Sequence, residues 1–124
     1  MKKNQIKSFL FFTAILTLSI YSLFIEDEPI KMMRTNFQNC NYEKTIELAN
    51  SILNNPNLTK EERKETYILK GISEFSTNHV LEAKVTFMQL LVLDNSITLN
   101  SKVVSPKIVN FFKEIKNNIS ANNI

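Results

Sequence analysis

The eighteen residues from Ser8 to Ile25 carry no charged side chain and are apolar almost throughout. As a helix such a run rises about 27 Å, close to the hydrocarbon thickness of a bilayer at about 30 Å. Lys2, Lys3 and Lys7 precede it and Glu26-Asp27-Glu28-Pro29 follows it. Lysines stay on the cytoplasmic side, so the amino terminus is expected inside and everything after Ile25 outside. A domain this small has too little interior to bury such a run on all sides. Residues 1–28 therefore read as a signal anchor or a signal peptide. Cleavable signals have apolar regions of about 7–15 residues ending in small side chains. The length of this run and its bulky end, Tyr21-Ser22-Leu23-Phe24-Ile25, favour a retained anchor, with cleavage as the alternative.

The charge of the chain divides at the same place. The net charge is +3, and the three lysines ahead of the apolar run account for all of it. From Glu26 onward twelve cationic and twelve acidic residues balance. A nucleic-acid binder needs excess cations to displace counterions from phosphate, so that class is not expected here. One Gly and three Pro argue against an all-β fold, whose frequent turns need those residues. Cys40 is the single cysteine, which excludes an internal disulfide. It lies well beyond Ile25 and follows Phe37-Gln38-Asn39, unlike a lipid-attachment site, and reads as a buried helix-face residue.

The remaining chain has helical periodicity. Pro29 suits a first helical turn, and Ile30, Met33, Phe37 and Cys40 recur on one face. Asn39-Cys40-Asn41 breaks that pattern. A second helix begins near Tyr42, carries Ile46, Ala49 and Leu53, and stops at Asn54-Asn55-Pro56-Asn57. Thr59 with Glu62 forms a capping box for a third helix reaching about Phe75, with Ile68, Leu69 and Ile72 apolar. After the turn Ser76-Thr77-Asn78-His79, a fourth helix from Val80 to Leu93 is apolar on nearly every side and is expected at the centre of the core. A connection from Asp94 to Val104 leads to Ser105-Pro106, an N-cap followed by proline. The fifth helix carries Ile108, Phe111, Phe112 and Ile115, with residues 118–124 expected as a polar tail. The expected fold class is all-α.

Asn41 to Ala49 and His79 to Phe87 align at an offset of 38 residues, each behind a turn and a preceding helix. At these residues the chain resembles tetratricopeptide repeats. Tyr67, Gly71, Ala83 and Phe87 match the large, small, small and large packing positions of one repeat. Departures are also present: Lys70 stands where a leucine is common, Glu74 where an aromatic is, and Asn95 where a proline is. In the first unit Met33 and Thr45 take the small positions. The segment Phe87 to Asp94, then Leu99, Ser105-Pro106-Lys107-Ile108-Val109 and Phe111-Phe112, resembles bacterial cell-envelope proteins with such repeats. The resemblance covers residues 29–117 and implies helical hairpins in a short α-α superhelix, closed by a Ser-Pro-capped helix.

Such a domain would serve as a protein-binding adaptor, with a protein partner and the membrane contacted through residues 8–25. By resemblance the partner would meet the first helix of each hairpin, at Ile30, Arg34, Phe37 and Gln38 and at Glu65, Ile68, Ile72 and Phe75. The competing reading makes Phe37, Ile68, Ile72 and Phe75 core residues covered by the fifth helix. No phosphate loop or metal-ligand cluster is recognisable, so no cofactor, small-molecule substrate or catalytic residue is expected. His79, the single histidine, reads as a solvated turn residue. A subunit of a larger membrane or envelope complex is the alternative function, and an enzyme a remote third.

Overall fold

The computed structural model describes residues 28–122, and within them the chain is all-helical. The five helices are α1 (Glu28–Gln38), α2 (Tyr42–Leu53), α3 (Lys60–Ser76), α4 (Val80–Leu93) and α5 (Pro106–Asn122). Each packs on its neighbour in sequence, and α1 also touches α3. Among the described residues no helix is long and apolar enough to cross a membrane. The expected anchor, residues 8–25, lies outside the described residues.

Local chemistry explains most boundaries. The Thr59 hydroxyl accepts from the Glu62 N–H while the Glu62 carboxylate accepts from the Thr59 N–H at 2.8 Å, so α3 starts with two orphan donors satisfied. At the start of α5 the Ser105 carbonyl accepts from Ile108 and Val109, both at 3.1 Å. Arg63 donates to the Leu53 and Asn55 carbonyls, fastening the open end of α2 to α3. The last helix runs on to Asn122 rather than fading at Asn117. Ile119 extends the stripe of Ile108, Phe112 and Ile115 and packs against the core, which holds that turn in place.

The hairpin turns repeat in geometry as well as in sequence. α1 and α3 each end in a left-handed residue, Cys40 at φ 58° and Asn78 at φ 66°. Around Cys40 its own N–H reaches the Phe37 carbonyl at 3.0 Å and that of Asn41 reaches Asn36 at 2.9 Å. Around Asn78 the matching bonds run to Phe75 at 3.1 Å and from His79 to Glu74 at 2.8 Å. This pair of bonds is the Schellman arrangement. The next residues, Asn41 and His79, share nearly the same backbone angles, φ −81° ψ 65° and φ −86° ψ 64°. Cys40 is therefore an exposed turn residue, contrary to the expectation of a buried helix face. The apolar period carries α1 only as far as Phe37, where the left-handed turn redirects the chain.

Two apolar clusters form the interior. One joins Ile30 and Met33 of α1 to Ala49 and Ile52 of α2. The larger one gathers Ile72, Phe87, Leu90, Leu91, Leu99 and the inner face of α5. Within it Phe87 meets Phe112 edge-on at 5.2 Å, an arrangement aromatic quadrupoles favour. A buried polar contact accompanies them: Thr86 Oγ1 donates to Glu74 Oε2 at 2.6 Å, with Lys70 Nζ 3.4 Å from the other carboxylate oxygen. The helix α4 is not the centre of the core. Ala83, Thr86, Phe87, Leu90 and Leu91 face inward, while Leu81, Val85, Met88 and Val92 face out. Uniform apolarity cannot say which side is buried, and here α3 and α5 cover one side only.

Candidate functional site

The expected partner-binding residues separate into four environments. Ile30 is 1% exposed inside the first apolar cluster, where Met33, Ala49 and Ile52 surround it, so it belongs to the core and not to a binding face. Arg34 and Glu65 face each other across α1 and α3. Arg34 Nε reaches Glu65 Oε1 at 2.6 Å and Nη2 reaches Oε2 at 2.7 Å, a parallel fork. That bond to Glu65 raises the pKa of Arg34 further above its ordinary value. Phe75, half-buried, lies against Phe111 of α5 with ring centroids 4.9 Å apart.

Phe37, Gln38, Ile68 and Ile72 come together. They line one side of a pocket of about 710 Å³. The other side is built by the 94–105 connection and the start of α5, through Leu99, Val103, Val104 and Ile108. Ile72 is only 7% exposed and forms its floor, so it is both a core residue and a wall of the pocket. Cys40 and Tyr42 stand at the α1–α2 turn end of the pocket. Phe37 meets Tyr42 edge-on at 5.9 Å, and the Tyr42 hydroxyl is held above its ordinary pKa by its hydrogen bond to Cys40 and by burial.

The connection that closes this pocket is held by local bonds. Asp94 accepts from the backbone and hydroxyl of Ser96, and Asn100 accepts from the Lys102 N–H. Lys116 of α5 donates to the Ile97 carbonyl at 2.9 Å, tying the connection to the last helix. Its contribution to the pocket escapes sequence periodicity, because an irregular segment has none. Only the isolated apolar residues Leu99, Val103 and Val104 hint at it.

Chemically the pocket is an apolar recess with Gln38, Ser76 and Asn100 as polar groups on its walls. Such a recess takes apolar side chains or a short apolar segment. His79 is exposed in its turn, its Nδ1 2.8 Å from Thr77 Oγ1. Among the described residues no group of three His, Cys, Asp or Glu side chains could hold a metal ion. Searches against protein-family models, curated proteins and solved structures find no match to this chain.

Proposed function

We propose that this chain is a tetratricopeptide-like adaptor, held by residues 8–25 on the extracytoplasmic side of a membrane, that binds another protein. The observation that carries the reading is the pocket in which Phe37, Gln38, Ile68 and Ile72 meet and which α5 leaves open. All four belong to the first helices of the two hairpins, the elements from which repeat proteins of this type bind their partners. The 38-residue recurrence of the turn at Cys40 and Asn78 supports the repeat character. The close approach of α3 and α4 at Gly71 supports it too. The lysines before residue 8 and the neutral balance after residue 25 support the anchor and its orientation.

Two hairpins are few for a free-standing repeat array, which generally needs about three units. Helix α5 supplies the missing layer on one side, and the pocket lies where it stops short. The partner's side chains would enter there as apolar anchors, while desolvation of Phe37 and Ile68 supplies most of the affinity.

The test is photo-crosslinking in native membranes with the full chain, carrying a photoreactive side chain in place of Gln38. A protein adduct of defined mass, lost when Ile68→Asp is added while helicity and Tm hold, is the expected result. An adduct indifferent to Ile68→Asp would end the reading. Assembly that depends only on residues 8–25 would transfer it to the complex-subunit function.

A further inference from the structure

The outer side of α4 carries a continuous apolar stripe. Leu81 is 77% exposed, Val85 56%, Met88 40% and Val92 88%. Their spacings of four, three and four residues are those of a coiled-coil seam, which keeps one line of side chains facing a partner helix. Beside the stripe, Lys60, Arg63 and Tyr67 of α3 complete a groove of about 760 Å³ with Val85, Met88 and Val92. Solvent-facing apolar side chains are ordinary when scattered, but a contiguous row marks an interaction surface.

The charges around the stripe identify the occupant. α3 and α4 run antiparallel, with Lys64 Nζ 3.0 Å from Asp94 at one end. Lys60 and Arg63 therefore stand beside Val92. Glu82 stands beside Leu81 at the opposite end, where Lys70 and Glu74 also lie but are paired with each other. We propose that two copies of this chain associate through this face, their α4 helices antiparallel about a two-fold axis. That axis sets Leu81 against the partner's Val92 and Val85 against the partner's Met88. It also sets Glu82 against the partner's Lys60, and symmetry makes each contact occur twice.

The experiment measures the mass of the full chain in detergent by sedimentation, over a concentration series. The wild type is expected to dimerise. Val85→Asp, at an exposed site that folding does not need, is expected to give monomers with unchanged helicity. Glu82→Lys and Lys60→Glu, each alone, should raise the dimer Kd about tenfold by placing like charges opposite each other twice. Mixing those two variants should restore dimers as mixed pairs, because each then offers the charge the other lacks. A monomeric wild type overturns the proposal, as does a mass unaffected by Val85→Asp or a mixture no tighter than its parts. Labelling of Val85 by a probe dissolved in lipid would assign the face to the bilayer and overturn it as well.

Discussion

Gly71 and Phe87 stand so close that a methyl group on Gly71 would lie 2.5 Å from the Phe87 ring. Phe87 is fully buried with the rings of Phe111 and Phe112 beside it, which leaves its own ring little room to move. The chain's single glycine sits in the middle of α3, where it costs the helix about 1 kcal/mol relative to alanine. That cost is offset by the approach of α3 to α4 that the missing side chain permits.

Gly71→Ala should therefore destabilise the domain by about 1–2 kcal/mol, overpacking outweighing the gain in helix propensity. In a Phe87→Leu background the same substitution should cost less, because the ring it strikes is gone. Urea unfolding followed by circular dichroism measures both. A Gly71→Ala protein as stable as the wild type would mean that the interface has slack the geometry does not show.

Cys40 holds a left-handed conformation that a side chain with a Cβ adopts at a cost of about 1–2 kcal/mol. Its counterpart Asn78 is one of the few residue types that tolerate it. Cys40→Gly should raise stability by about 1 kcal/mol, while Asn78→Ala should lower it by a comparable amount. The Cys40 thiol should also react with a small disulfide reagent in the folded protein, since the residue is exposed. A thiol that reacts only on unfolding would contradict the turn geometry.

Acid should weaken the fold through two carboxylates. Asp94 is held well below the ordinary carboxylate range by the Ser96 hydroxyl and then by the Lys64 ammonium. Glu62 is lowered by the Thr59 backbone N–H and then by its hydroxyl. A group lowered in the folded state contributes fully above its unfolded value and loses that contribution as pH falls through the folded one. With ordinary values near 3.8 and 4.5, these two contribute a constant amount at neutral pH and a shrinking one below about 5. The Tm should fall on acidification below that point. Asp94→Asn with Glu62→Gln should flatten the decline, and molar salt should reduce the part due to Lys64. A Tm that rises on acidification would reverse the sign of the argument.

The sequence discloses helix boundaries where the signal is a short bonding pattern. The Thr59–Glu62 box and the Ser105-Pro106 start are legible because their bonds are made within one turn. Cys40 is misread because its spacing from Phe37 continues a helical period that the backbone has already left. Apolarity alone does not separate the inner and outer sides of α4, because Leu81 and Leu90 are the same residue type; only the repeat resemblance, at Ala83 and Phe87, points to the inner one. The seam spacing of Leu81, Val85, Met88 and Val92 was nevertheless present, as was the continuation from Ile115 to Ile119. Of the residues expected at a partner surface, Phe37, Gln38, Ile68 and Ile72 line one pocket, while Ile30 packs against α2 and Phe75 against α5. Those losses come from contacts distant in sequence, which periodicity along one helix does not encode.

Arg34 and Glu65 hold the first helices of the two hairpins in register beside the pocket. Their fork is well aligned, yet the side chains are 35% and 34% exposed, so water and salt screen it. A double-mutant cycle with Arg34→Ala and Glu65→Ala should give a coupling of about 0.5–1 kcal/mol at low salt, shrinking as salt rises. Arg34→Lys should recover only part of it, because an ammonium cannot make the two parallel bonds. Partner capture gives a separate reading of the same pair. If the pair only sets the register, Arg34→Ala and Glu65→Ala should each weaken crosslinking from position 38. Glu65→Ala alone abolishing capture, with stability matched to Arg34→Ala, would show instead that the carboxylate meets the partner directly.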